Sequence, residues 1–226
     1  MNPMRQRLAA EFLGTFALVF AGTGAIVIND VTGAITHVGI ALTFGLVVLA
    51  LIYTLGEVSG AHFNPAVTLG FVLARRFPVR DAGAYLLVQF LGSLAASGVL
   101  RLMFPDNEKL GATIPRGSFA QSFVLEFLLT AFLMFVILNT TTGAKEKGLT
   151  VGIVVGAVIA LEAMFAGPIC GASMNPARSF GPAVVSGHID SLWIYLVAPT
   201  IGAFAAVPSC CLVQSPGCCT STEGCQ

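Results

Sequence analysis

Charge is scarce in this sequence. Lys and Arg number 11 and Asp and Glu 11 among 226 residues, 10% of the chain, where a soluble domain carries about 25%. So few charged groups cannot solvate the surface of a chain this long, and a water-soluble globule is excluded. The signs cancel to a formal net charge of zero, so nothing points to nucleic acid as a partner. Histidine occurs three times, and no His-x-x-x-His pair or paired carboxylate falls within an apolar run. A membrane enzyme would need such a cluster or a nucleophile, so neither catalysis nor a metal or cofactor is expected. Cysteine occurs six times, but Cys210, Cys211, Cys218, Cys219 and Cys225 crowd one end. A disulfide framework would spread them along the fold.

Apolar residues are what the sequence has in excess, at 56%, with a mean hydropathy of +0.88. Six runs are long enough to cross a hydrocarbon core of about 30 Å: roughly 7–28, 38–57, 82–104, 121–140, 149–166, and 191–207 or a little beyond. The first is too long for a signal peptide, and no cleavage site with a soluble domain follows it. An even number of spans puts both termini on one side. Arg5, Arg7, Arg75, Arg76, Arg80, Lys145 and Lys147 fall there, against Arg101, Lys109, Arg116 and Arg178 opposite. That bias predicts cytoplasmic termini for a multi-pass integral membrane protein, and the short termini point to a bacterial inner (plasma) membrane.

The chain repeats itself. "EFLGTFALVF" opens the first span and "EFLLTAFLMF" the fourth, while "GAHFNPAVTLG" and "GASMNPARSFG" recur about 110 residues apart. Halves of about 7–115 and 121–207 each hold three spans. Because three is odd, the second half enters the membrane from the opposite side, an inverted repeat whose interruptions point to a midplane site. The expected fold is all-α: six transmembrane helices plus two re-entrant half-helices in a single channel domain, followed by a Cys-rich tail, 208–226.

Asn-Pro-Ala reads as a helix start. Asn64 and Asn175 are favoured N-caps, and Pro65 and Pro176 fall at the first helical position, where a missing N–H costs nothing. Ala66 and Ala177 follow, then apolar stretches only half a membrane long. The preceding Gly60, Ala61 and His62, and Gly171, Ala172 and Ser173, offer backbone carbonyls. Irregular backbone at this depth survives only inside protein or along a watery cavity. Two half-helices meeting N-terminus to N-terminus each bring about half a positive charge, so their meeting point repels cations while the asparagine amides face the lumen.

These motifs resemble the aquaporin and glycerol-facilitator family, the major intrinsic proteins. The resemblance runs from "AEFLGTFALVF" through "SGAHFNPAVTLG" and "GASMNPARSFGPAVV" to "WIYLVAPTIGA", ending at about Ala206. It implies a right-handed bundle assembled as a homotetramer with one pore per protomer, embedded in a lipid bilayer. It also implies a filter at four positions: Arg178 and Ala172 by local spacing, Ala163 and Phe44 by ungapped alignment. An arginine inside an apolar segment is itself a functional-site hypothesis. Strict water channels of the family usually carry histidine where Ala163 stands. The segment "FAGPICGASMNPARSFGPA" is similar to the nodulin-like intrinsic proteins of plants, which conduct glycerol and metalloid hydroxides.

The expected cargo is therefore water and small uncharged solutes such as glycerol, with protons and ions excluded. A strict water pore and a metalloid hydroxide channel are the alternatives. A secondary transporter also uses inverted repeats, but asparagine and alanine stand where its coupling acids would be. Glu11 and Glu126 occupy matching places and are expected to accept hydrogen bonds from the irregular loops. Glu57 and Glu162 receive no role. His62 is either a ring held by neighbouring backbone or a pH gate, and His37 and His188 are expected near the outer ends. Cys170 is either reactive or a buried, inert thiol. Pro208 is expected to interrupt the sixth span, leaving a tail that binds soft metals, is palmitoylated, or has no specific role.

Overall fold

The computed structural model describes residues 2–141 and 145–214, the side chains of 145–149 excepted. Cys218, Cys219 and Cys225, and with them most of the Cys-rich tail, lie outside these residues. Eight helices are seen among the described residues: α1 (Met4–Thr32), α2 (Thr36–Ser59), α3 (Pro65–Leu73), α4 (Val79–Met103), α5 (Phe119–Thr140), α6 (Lys145–Cys170), α7 (Pro176–Ser186) and α8 (Leu192–Val213). Six are long and apolar enough to cross a membrane. The other two are the half-helices of nine and eleven residues that begin at the prolines of the repeated tripeptide. Large apolar side chains such as Leu46, Leu87, Leu102, Phe165 and Leu212 stand exposed on the outer faces of the spans, as lipid rather than water requires.

The repeat is visible in the packing. α1 packs on α4 and α5 on α8, and in each pair a glycine lets the backbones approach. A Cβ at Gly92 of α4 would meet the Phe12 carbonyl of α1, and one at Gly202 of α8 would meet the Phe127 carbonyl of α5. Gly45 and Gly156 do the same where α2 crosses α6. The buried core runs along the half-helices, from Leu18 and Phe63 to Leu133, Met134 and Ala206.

Two expectations are corrected. The sixth span, expected to end at 207 or a little beyond, continues as α8 through Pro199 and Pro208 to Val213, so the tail boundary expected at 208 falls inside a helix. Pro208 removes one backbone donor, but the turn is held by its packing. Val207 and Cys210 belong to the buried core, Ser209 Oγ donates to the Ala205 carbonyl, and Gln214 is tied to Asn139 of α5 at 2.6 Å. The fifth span likewise overruns its expected end at 166. α6 continues through Pro168 to Cys170, and the Tyr195 hydroxyl caps the Cys170 carbonyl at 2.7 Å.

Candidate functional site

Each half-helix starts as the tripeptide predicts. Asn64 is extended (φ −154°), and its side-chain oxygen accepts from the N–H groups of Ala66 and Val67; Asn175 (φ −149°) does the same for Ala177 and Arg178. The amide nitrogens reach across the centre: Asn64 Nδ2 donates to the Met174 carbonyl at 2.8 Å and Asn175 Nδ2 to the Phe63 carbonyl at 2.9 Å. One proton of each amide therefore joins the two halves rather than facing the lumen, and one remains. The five residues of each loop, 60–64 and 171–175, take matching left-handed turns, with 62–64 and 172–175 buried. Gly60 and Gly171 take φ of 89° and 86°, and Ala61, Phe63, Ala172 and Met174 are also left-handed. For the four residues other than glycine this conformation costs about 1–3 kcal/mol each, so something must hold it.

Glu11 and Glu126 hold it. Glu11 accepts four hydrogen bonds, from Ser59 Oγ (2.7 Å), the N–H groups of His62 (2.9 Å) and Phe63 (2.7 Å), and Gln89 Nε2 (2.8 Å). Glu126 accepts from the N–H groups of Ser173 and Met174, both at 2.8 Å. Both carboxyls are fully buried. α7 is additionally pinned to α4: the Ser93 hydroxyl donates to the Ala177 carbonyl and accepts from Gly181 N–H, entering the helix's own bonding ladder. Sequence reasoning missed Ser93 and Gln89. Their spacing from Tyr85, one and two turns along α4, is the signal that was available.

Two chambers meet beside these loops. The inner one, about 90 Å³, is lined by Asn64, Asn175, Ala172 and apolar residues of α2, α5 and α6. The outer one, about 290 Å³, is lined by His37, Lys109, Gly167 and Gly171 among others. Phe44, Ala163 and Arg178 line both and so form the neck between them. Arg178 is 3% exposed. Its guanidinium donates to the Gly111 carbonyl at 2.8 Å and lies 5.1 Å from the centre of the Phe44 ring, so it points into the neck rather than anchoring the helix at an interface. Apart from Arg178, no charged residue lines the inner chamber among the described residues. Of the expected carbonyl-bearing residues, Gly60, Ala61, His62, Ala172 and Ser173 line the inner chamber, whereas Gly171 lines the outer one.

The His62 ring is held by side chains, not by neighbouring backbone. Its Nδ1 lies 3.1 Å from Thr68 Oγ1, and its face packs against Phe71, Phe77 and Tyr85. The Thr68 hydroxyl gives its single proton to the Asn64 carbonyl and accepts from Gln89. His62 Nδ1 must therefore be a donor, leaving Nε2, beside Gly60, as an acceptor at the inner chamber. His37 Nε2 bonds the Met164 carbonyl at 2.7 Å above the neck, and His188 bonds Ser186. Cys170 is buried, accepting from Ala172 N–H and donating to the Ala166 carbonyl. Glu57 is exposed, while Glu162 is buried with neither oxygen partnered among the described residues.

Six spans and two chambers joined at a narrow neck define a transmembrane channel for water and small solutes. Comparison with known proteins agrees: residues 2–208 match the profile of the family described as major intrinsic protein, and the chain belongs to that family. It is 48% identical to nodulin-26 of Glycine max over 205 residues, 90% of this chain and 76% of that protein. It is 50% identical to aquaporin NIP1-4 of Oryza sativa subsp. japonica, over 94% of this chain and 78% of that one. The X-ray structure of the aquaglyceroporin from Plasmodium falciparum superposes with a TM-score of 0.82 at 26% identity, covering 90% of this chain and 94% of that one. The protein is therefore a multi-pass integral membrane protein. The relatives similar to it in sequence are plant proteins, so the expected bacterial inner membrane finds no support among them.

Proposed function

We propose that the chain is a passive channel conducting water and small neutral solutes such as glycerol, with protons and ions excluded. Phe44, Ala163, Ala172 and Arg178 form its filter, and Asn64 and Asn175, with Pro65, Pro176, Ala66 and Ala177 behind them, form its centre. The observation that carries this reading is the neck: the Ala163 methyl group stands with one arginine and one phenyl ring, and the Ala172 methyl lines the inner chamber that they bound, all of them buried. An apolar wall with a single strong donor suits a solute with a carbon backbone and hydroxyls on one edge. The names of its relatives, aquaporin and aquaglyceroporin, support the same cargo. No enzymatic role is proposed, and both termini are assigned to the cytoplasm on the bias of lysine and arginine in the loops.

Stopped-flow light scattering on liposomes holding the purified protein tests this. Rapid glycerol entry, indifferent to proton and sodium gradients and abolished by Ala163→His with Ala172→Phe, is the expected result. Fast water with glycerol excluded in the unsubstituted protein would establish a strict water pore instead. Boric acid in the same assay decides the metalloid reading. A homotetramer with one pore per protomer is the proposed assembly, and native mass spectrometry of the detergent-solubilised protein reads it.

A further inference from the structure

The two halves fix the turn before each half-helix by different routes. In the first half the Thr68 hydroxyl donates to the Asn64 carbonyl at 3.0 Å and accepts from Gln89 Nε2 at 3.0 Å, so the hydrogen bonds lead to α4, inside the bundle. Ser179 stands at the matching place of the second half, four residues after Asn175 as Thr68 is after Asn64. Its partners are hydroxyls, Ser173 Oγ at 2.6 Å and Thr113 Oγ1 at 2.8 Å, and Ser173 Oγ lies 2.9 Å from the Asn175 carbonyl. Three hydroxyls carry three protons, one for each link, and the carbonyl can only accept. That settles the direction: Thr113 donates to Ser179, Ser179 to Ser173, and Ser173 to the Asn175 carbonyl. The Tyr195 hydroxyl, also beside Thr113, has its proton on the Cys170 carbonyl and does not feed the chain.

Thr113 is not on a span. It belongs to the segment 104–118 that joins α4 to α5, where it is buried between the more open Ala112 and Ile114. Two residues earlier the Gly111 carbonyl accepts from the Arg178 guanidinium at 2.8 Å. One segment therefore grips consecutive residues of α7, Arg178 through Gly111 and Ser179 through Thr113. On one side of this grip Leu110, left-handed at φ 49°, is buried with Val27 and Leu100, and a Cβ at Gly111 would stand 2.8 Å from Cβ of Thr23 on α1. On the other side Arg116 N–H donates to the Ile169 carbonyl at 2.9 Å. Between these two anchors, the Thr113 hydroxyl is the segment's own side-chain bond to the half-helix.

We propose that Thr113 is a specificity-positioning residue of the pore: by starting the hydroxyl chain through Ser179 to Ser173, it holds the Gly111 carbonyl on Arg178 and the turn 171–175 against the lumen. While one N–H of the guanidinium is committed to Gly111, the group stays to one side of the neck and offers its other donors to a passing hydroxyl. Released from that carbonyl, it can swing across the opening, and the larger solute is obstructed first. A residue that lines neither chamber thereby sets how the arginine is presented. The inference rests on the reading of Arg178 as part of the filter.

Two substitutions separate the hydroxyl from the fold. Thr113→Val keeps the methyl that lies against Gly171 and deletes the donor, whereas Thr113→Ser keeps the donor. In liposomes the glycerol-to-water permeability ratio should fall about two- to tenfold in the Val variant, the range of one hydrogen bond, and hold in the Ser variant. Ser179→Ala cuts the same chain, so it should lower the ratio likewise, and adding Thr113→Val should lower it no further. Hydrogen exchange read by mass spectrometry tests the grip independently of flux: the amides of 107–116 should exchange faster in Thr113→Val and not in Thr113→Ser. Equal ratios in the Val and Ser variants would overturn the proposal, as would additive effects of Thr113→Val and Ser179→Ala, or unchanged exchange in Thr113→Val. If Thr113→Val does not fold, Ser179→Ala against the unsubstituted protein decides both readings. A pore that conducts no glycerol at all, with the exchange pattern as expected, would count against the proposed cargo and not against the grip.

Discussion

Gly22 sets the width of the neck without touching the solute. It lies on α1 directly behind the Phe44 ring, and a Cβ built there would stand 2.5 Å from both Cδ1 and Cζ. Carbon atoms rest about 3.5–4.0 Å apart and Cε1 of the ring would stand nearer still, so in Gly22→Ala the ring must retreat by ~1.5–2 Å. α1 blocks one side, and the open side is the neck, where the guanidinium of Arg178 lies 5.1 Å from the ring centre. The substitution itself favours helix by about 1 kcal/mol, so the variant should fold. An advance of that size into a close-fitting opening resembles adding a methylene, worth about 1–3 kcal/mol of discrimination or roughly 10–200-fold. Glycerol permeability should fall by at least about tenfold, while water, the smaller solute, falls much less. Glycerol flux should return in Gly22→Ala combined with Phe44→Val, since the smaller side chain leaves room for the methyl. Stopped-flow measurement of water and glycerol in one liposome preparation reads both. Unchanged glycerol flux in Gly22→Ala would refute the reasoning, and so would a loss that Phe44→Val does not restore.

Two further outcomes follow from the same geometry. Arg178→Val removes the one charged side chain of the neck and should raise proton leak at least about tenfold, the equivalent of 1.4 kcal/mol of barrier; an unchanged pH-dye response in loaded liposomes would refute it. Glu11→Ala strands four donors, each costing about 1–3 kcal/mol when buried and unpaired, and should sharply lower the thermal midpoint of detergent-solubilised protein. Glu11→Gln should fall between the two, and an unshifted midpoint in the Ala variant would remove Glu11 from the fold's support.

The architecture was legible because its two signals are simple: length of apolar run, and a capped half-helix written twice. Asn64 and Asn175 could be placed from the tripeptide alone, since cap chemistry acts within three residues. What could not be read is chemistry between elements distant in sequence. The tie from each asparagine to the opposite loop depends on where the two halves meet. Gln89, Ser93 and Glu162 look like any polar residue inside a span until their neighbours are known. The sixth span was misjudged for the same reason. Pro208 is a local stop signal, but Val207 and Cys210 are buried in the core and Gln214 reaches Asn139, and these tertiary contacts carry the helix on to Val213.

The inverted repeat makes the centre symmetric, and the substitutions within it make the ends unlike. Both half-helices aim their N-termini at the same point, so a cation arriving from either side meets about two half-charges there. Arg178 is absent from that balance. It belongs to the second half-helix, and its place in the first is taken by Val67, which follows Ala66 as Arg178 follows Ala177. Its charge therefore acts at the outer neck alone, where it also offers the strongest donor to a hydroxyl. On the inner side the corresponding polar atom is His62 Nε2, an acceptor held by Thr68 and three aromatic rings. A solute with hydroxyls can give a proton at one end and receive a bond at the other, which a cation cannot do. Exclusion of charge is thus built twice, at the centre by backbone and at the neck by a side chain. Selection among neutral solutes, on the proposed filter of Phe44, Ala163, Ala172 and Arg178, is built once, and it should be alterable there without dismantling the centre.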